Sequence, residues 1–180
     1  AGRHRGRRLA APPGATTRPT AERVRQALFD MLWHAPWAGR AAVEGARVLD
    51  AFAGTGALGL EALSRGAAHA TFIEQDRAAL AALRANIAAT REEAASRVIP
   101  GDATRPPRAA APCSLILLDP PYGGEMVPRA LAALAPAGWI APGALVAAEV
   151  ARAEPLEAPG FEEVASREHG AARLVFLRAA

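Results

Sequence analysis

Apolar positions along the chain fall into two periods. Between residues 20 and 33 they recur three and four apart, at Val24, Leu28, Met31 and Leu32, as one face of a helix requires. Arg18-Pro19-Thr20 opens this segment, with Thr20 a candidate N-cap, and Pro36 and Gly39 end it. From Arg47 onward, short unbroken apolar runs alternate with helical stretches. Residues 48–52, 70–74, 97–100, 114–118 and 144–150 read as buried strands, while helices are expected after the glycines that follow Phe52 (to about Arg65), over 76–91 and over 125–134. Residues 161–166 and 172–177 predict a closing antiparallel pair, since only 167–171 separate them. The expected fold is therefore α/β: a mostly parallel seven-stranded sheet with helices on both faces and a C-terminal antiparallel pair. Ligands in such sheets bind at the carboxyl ends of the strands.

Composition changes this picture in three ways. A chain of 180 residues is expected to form one domain over 18–180, preceded by a basic arm over 1–17 that is rich in Arg, Gly and Pro and predicts a loop or hairpin. Residues 1–25 hold seven Arg against Glu22 alone, a net of +6, while the remainder is mildly acidic at −3. A basic arm on an acidic body points to a polyanionic partner, with Arg3, Arg5, Arg7, Arg8 and Arg18 as candidate contacts. The chain contains no run of about eighteen apolar residues and no signal-like opening, and Cys113 is its only cysteine, so the expected location is a reducing cytoplasm. One Cys and four scattered His offer no metal-ligand spacing, and no metal is expected.

The chemistry concentrates at strand ends. Asp119-Pro120-Pro121-Tyr122 directly follows the apolar run 114–118; from composition, about 10⁻³ chance occurrences of such a motif are expected, so it is specific. The acid accepts hydrogen bonds, the prolines hold carbonyls out of any helical ladder, and the ring offers a stacking face. Gly54-Thr55-Gly56-Ala57-Leu58-Gly59 satisfies G-x-G-x-x-G, which alone is weak in a chain with 16 glycines but stands between a strand and a helix, where backbone can approach a ligand closely. A pyrophosphate-bearing nicotinamide cofactor and a methyl donor both suit that layout. Asp50 favours the methyl donor, because a carboxylate beside the loop repels a pyrophosphate and suits a ligand bearing ammonium and sulfonium charges. Glu74, about 20 residues beyond Gly54, is placed to accept both hydroxyls of a ribose. Asp102, just after the third strand, either meets an adenine amino group or forms a turn with its neighbours.

These residues carry a resemblance. Asp50-Ala51-Phe52-Ala53-Gly54-Thr55-Gly56, Glu74 and Asp119-Pro120-Pro121-Tyr122 resemble successive motifs of the Rossmann-like class I S-adenosylmethionine-dependent amino-methyltransferases. The block Arg18-Pro19-Thr20, Arg23-Val24-Arg25 and Leu28-Phe29, together with residues 54–66 (GTGALGLEALSRG), is similar more narrowly to RsmD-type methyltransferases, which act on the exocyclic N2 of a guanine in small-subunit (16S) ribosomal RNA. Gln26 departs from that family, which commonly has Glu there. The resemblance covers nearly the whole chain. It implies S-adenosylmethionine as donor, held by Asp50, Phe52, Ala53, Gly54, Gly56, Glu74, Gln75, Asp102, Ala103 and Asp119. It implies a catalytic motif of Asp119, Pro120, Pro121 and Tyr122, in which Asp119 and the Pro120 carbonyl each accept one N–H of the target amine and Tyr122 stacks on the extruded base. It implies ribosomal RNA as partner, presented in an assembled or partly assembled 30S particle to a monomeric enzyme. Thr20 serves either as a cap or at the amino-acid end of the donor. Asp-Pro-Pro-Tyr also serves methylation of adenine N6, so the identity of the base rests on the N-terminal block.

Overall fold

The computed structural model describes residues 2–6, 9–10 and 19–180, with Pro19 and Thr20 described by backbone only. Helix α1 (Pro19–His34) precedes a short 3-10 turn at Arg40–Ala42. The helix starts at Pro19, one residue before the position a Thr20 cap would occupy at its edge; proline suits a first turn because its missing N–H would have no partner there. Then follow β1 (Arg47–Asp50), α2 (Ala57–Ser64), β2 (His69–Glu74), α3 (Arg77–Ala89) and β3 (Ser96–Pro100). The chain closes with β4 (Cys113–Leu118), α4 (Met126–Leu134), β5 (Ile140–Ala151), β6 (Phe161–His169) and β7 (Ala172–Ala179). No described helix is long and apolar enough to cross a membrane.

The seven strands form one sheet in the order β3-β2-β1-β4-β5-β7-β6. The first five are parallel, and β7 runs antiparallel between β5 and β6. From β1 the chain builds outward through β2 to β3, then returns to β4 on the other side. The carboxyl ends of β1 and β4 therefore flank the point where the strand order reverses, which in open α/β sheets is where ligands sit.

Alternation along the strands divides the core. Val48, Phe72, Leu115, Leu117 and Phe176 face α1, α2 and α3 on one side, where Leu28, Phe29, Leu32, Leu60, Leu63 and Leu83 meet them. Leu49, Ile73, Ile116, Leu118 and Val146 face α4 on the other, against Val127, Leu131 and Leu134. Parallel strands covered on both faces read as continuous apolar runs, and β4 is the clearest case.

Three of the boundaries that differ from the sequence expectation have a physical reason. β1 ends at Asp50, and Ala51–Phe52 already belong to the turn. β5 begins at Ile140, because pairing with β4 starts at Cys113↔Ile140 and resumes at Leu115↔Leu145 after an irregularity around Pro142, which cannot donate to a ladder. The closing hairpin is longer than expected: Arg167, Glu168 and His169 pair with Leu174, Arg173 and Ala172, which leaves a two-residue turn with Gly170 at φ 62. β6 is an edge strand, and its backbone ladder continues past the apolar run because backbone pairing there does not require buried side chains.

Candidate active site

The turn after β1 is braced by side chains from neighbouring elements. Gly54 (φ 57) and Gly56 (φ 88) take left-handed conformations that glycine adopts freely. A Cβ on Gly56 would collide with Leu83, whereas a Cβ on Gly54 would project into open space, so Gly54 leaves its backbone free for close approach. Gly59 N–H donates to Asp50 Oδ2 at 2.9 Å, Gly54 N–H to Glu74 Oε1 at 2.7 Å, and Asn86 Nδ2 to the Thr55 carbonyl at 2.9 Å. Ala53 N–H reaches the Ile73 carbonyl at 3.0 Å, tying the turn to β2.

Glu74 ends β2 and spends its second oxygen on the start of α3, accepting from Gln75 N–H at 3.0 Å and Asp76 N–H at 2.8 Å. Asp76 caps α3 through Ala79 N–H. The ends of four adjacent strands then enclose a cavity of about 360 Å³. The turn after β1 contributes Phe52 and Gly54, β2 contributes Ile73, Glu74 and Gln75, the segment after β3 contributes Gly101 and Ala103, and the segment after β4 contributes Asp119, Pro120 and Pro121.

Asp119 also borders a second, smaller cavity of about 110 Å³ on the α1 side. Val24 and Leu28 of α1, Leu58 of α2 and Leu118 form its apolar walls, and Glu149 of β5 supplies a second carboxylate. The β4–β5 register pairs Leu118 with Ala148, which sets Glu149 beside Asp119. The two carboxyl groups lie within hydrogen-bonding reach of each other. The Asp119 carboxyl lies well above the ordinary carboxylate range, first from lost solvation against the cleft walls, then from the Glu149 hydrogen bond and charge, and last from Asp50. Asp119 is nevertheless exposed on its outer side, so water screens part of this repulsion. Asp50 is fully buried; burial pushes its carboxyl up to about 7, opposed by the Gly59 hydrogen bond and reinforced by the Glu74 charge.

The structure thus gathers Phe52, Gly54, Glu74, Gln75, Ala103, Asp119, Pro120 and Pro121 around one cavity. It sets other candidates apart. Asp50 lies behind the glycine turn, with Oδ2 on Gly59 and Oδ1 without a hydrogen-bond partner. Ala53 and Gly56 shape the turn from within. Asp102 turns back to accept from Thr104 N–H and Oγ1, both at 2.8 Å, which lowers its pKa. Tyr122 is 55% exposed, the one large hydrophobic side chain so exposed among the described residues, and is no part of the core.

Arg3 does not reach this site. Its guanidinium pairs with Glu92 Oε1 at 2.8 Å, and its N–H donates to the Ser64 carbonyl at 3.0 Å. Ser64 ends α2 and Glu92 precedes β3, so this contact lies at the amino edge of the sheet, opposite the cavities. Arg5 is exposed in the same turn. Arg7, Arg8 and Arg18, and the Thr20 side chain, lie outside the described residues.

The model of the family described as "Conserved hypothetical protein 95" matches residues 1–178. The chain belongs to this family, the RsmD-type methyltransferases. It is 40% identical over 149 residues to ribosomal RNA small subunit methyltransferase D of Escherichia coli strain K12, covering 82% of this chain and 71% of that one. The protein of the same description from Haemophilus influenzae is 32% identical over 163 residues, covering 88% and 81%. Among solved structures, yhhF from Escherichia coli superposes at a TM-score of 0.83 with 32% identity, over 99% of this chain and 95% of the other.

In this RsmD-type methyltransferase, sequence reasoning missed Glu149. Its strand reads as a uniformly apolar run with one acid, and a lone acid near a strand end passes for a solvent-facing residue. The usable signal was register: counting β4 and β5 from their apolar cores puts Glu149 level with Asp119.

Proposed function

We propose that this chain transfers a methyl group from S-adenosylmethionine to the exocyclic N2 amine of a guanine in small-subunit ribosomal RNA. One observation carries the reading: Asp119 borders both cavities, so a donor in the larger and an amine entering beside the smaller meet at a single carboxylate. The names of the Escherichia coli and Haemophilus influenzae relatives support ribosomal RNA as the acceptor.

The residues present fit the donor. Gly54 leaves open space where a Cβ would project, and Glu74, which lines the larger cavity, is the residue we assign to the ribose hydroxyls. Gly54 and Gly59 already give their N–H groups to carboxylates, which leaves little for a pyrophosphate and suits a cationic ligand. When bound, S-adenosylmethionine supplies an electrophilic methyl on its sulfonium.

An amine on a base is a weak nucleophile, because its lone pair delocalises into the ring. Asp119 and the Pro120 carbonyl each accept one N–H, which bends the nitrogen toward tetrahedral and turns its lone pair to the methyl. Holding the reactants in line supplies much of the rate. The methylated amine is strongly acidic, so Asp119 receives its proton without needing to be a strong base. Tyr122, exposed beside the cleft, stacks on the extruded base. We read the acceptor as a base presented in an assembled or partly assembled small-subunit particle, and the enzyme as a monomer.

The test uses ribosomal particles that lack the modification, labelled S-adenosylmethionine and digestion to nucleosides. N2-methylguanosine is expected; N6-methyladenosine in its place would overturn the choice of base. Faster transfer to assembled subunits than to naked RNA is expected, and the reverse order removes the particle from the proposal.

A further inference from the structure

Asp119 has a neighbour of its own kind, and the proposed reaction as written leaves that neighbour without a role. Glu149 is half-buried, sits level with Asp119 across the β4–β5 ladder and lines only the smaller cavity. It therefore faces the acceptor side of Asp119, away from the nucleoside end of the donor. A half-buried acid near the end of an apolar strand costs stability unless it is hydrogen-bonded or paired. Around it the walls are mostly apolar, and among the described residues Arg25 of α1 is the one basic residue bordering this cavity.

Two carboxylates side by side form a row of acceptors. The Watson–Crick edge of guanine presents a matching row of donors, N1–H next to the N2 amine. The corresponding edge of adenine presents an N6 donor next to a bare N1 lone pair. We infer that Glu149 is the specificity-determining residue of the site, accepting N1–H of guanine while Asp119 accepts from N2. The inference rests on the reading that the target is the N2 amine of a guanine.

A cationic sulfonium bound beside Asp119 would favour its ionised form, with any carboxyl proton released to solvent. Both oxygens then become acceptors as the base arrives. A base that offers a lone pair opposite Glu149 sets one acceptor against another, whereas guanine makes two hydrogen bonds. A site built to take an N–H rejects the analogue that lacks it, because its buried polar group is left unpaired.

2-Aminopurine tests this directly, since it keeps the N2 amine and lacks N1–H. Small-subunit particles are reconstituted with RNA carrying either guanine or 2-aminopurine at the target position, and kcat/KM is measured for each. The native enzyme is expected to prefer guanine by about 10²-fold. Glu149→Gln, whose amide presents either an acceptor or a donor, is expected to bring that ratio within about threefold of unity, with donor affinity by calorimetry unchanged. Equal use of the two bases by the native enzyme, or a preference for 2-aminopurine, overturns the inference while N2 methylation stands. A guanine preference that survives Glu149→Gln, with donor binding weakened, overturns it too and moves Glu149 to the donor side. No N2-methylated product from the guanine particle, in contrast, brings down the proposed reaction itself.

Discussion

Residues 51–56 and residues 119–125 follow neighbouring strands and border the same cavity, but they are held in different ways. The turn after β1 is fastened from three directions: Asp50 holds Gly59 from below, Glu74 holds Gly54 from the side, and Asn86 holds Thr55 from α3. The segment after β4 projects outward. Gly123 and Gly124 take left-handed conformations, as does Glu125 at φ 54, and Gly123 N–H reaches Glu154 Oε1 at 3.2 Å, near the surface. The contrast matches the two ligands. A small donor of fixed shape gains from a preformed cradle, whereas a base arriving on a large particle gains from a loop that adjusts to it.

The largest expected effect comes from removing the one group both regions share. Asp119→Ala is predicted to lower single-turnover methyl transfer by about 10³-fold with donor affinity kept within a few-fold, because the change empties the acceptor side of the cleft. A parallel collapse of donor affinity in calorimetry would mean that the β4 segment belongs to the cradle, and the contrast would vanish.

Asp50 tests the braced turn through stability. Its carboxyl is raised from 3.8 to about 7, so the folded chain holds that proton more tightly than the unfolded chain does. The stability this contributes is complete below about pH 4, falls as pH rises and is lost above about pH 7. Asp50→Asn keeps an acceptor for Gly59 and removes the charge. It is predicted to stabilise the fold by on the order of 3 kcal/mol at pH 8 and to leave it nearly unchanged at pH 4, measured by urea unfolding. A loss of stability at pH 8 would show that the buried charge is compensated.

Much of this was legible in the residues. Five buried parallel strands read as apolar runs, and the site motifs sit at their carboxyl ends, where the fold class requires them. The uses of individual acids were harder to read. Asp50 and Asp102 look like ligand-facing carboxylates in one dimension, yet each satisfies a backbone N–H close by, a choice set by turn geometry that pattern does not encode. Arg3 looks like part of a free basic arm, and only the three-dimensional meeting of Ser64 and Glu92 gives it a dock. The start of β5 was hidden because Pro142-Gly143 reads as a loop, although β4 carries the pairing across it.

Two smaller effects sharpen the adjustable side. Tyr122→Ala is predicted to lower kcat/KM for the ribosomal particle by about 10- to 100-fold, the value of one stacked base, with urea stability unchanged within about 0.5 kcal/mol. A stability loss beyond that range would give the ring a packing role. Glu154→Ala removes the Gly123 contact while the Arg173 bond to the Glu154 carbonyl survives, and a two- to fivefold rise in KM for the particle is expected. An unchanged KM would show that the loop is set by its own backbone.

The Asn86 amide serves two masters. Its oxygen accepts from Ala10 N–H at 2.5 Å, while its nitrogen donates to the Ala10 carbonyl at 3.0 Å and the Thr55 carbonyl at 2.9 Å. A stretch near the amino terminus and the glycine turn are thus riveted through a single planar group. The Ala10 amide proton therefore becomes a remote gauge of the donor cradle, and its deuterium uptake slows whenever filling the cradle quiets the turn.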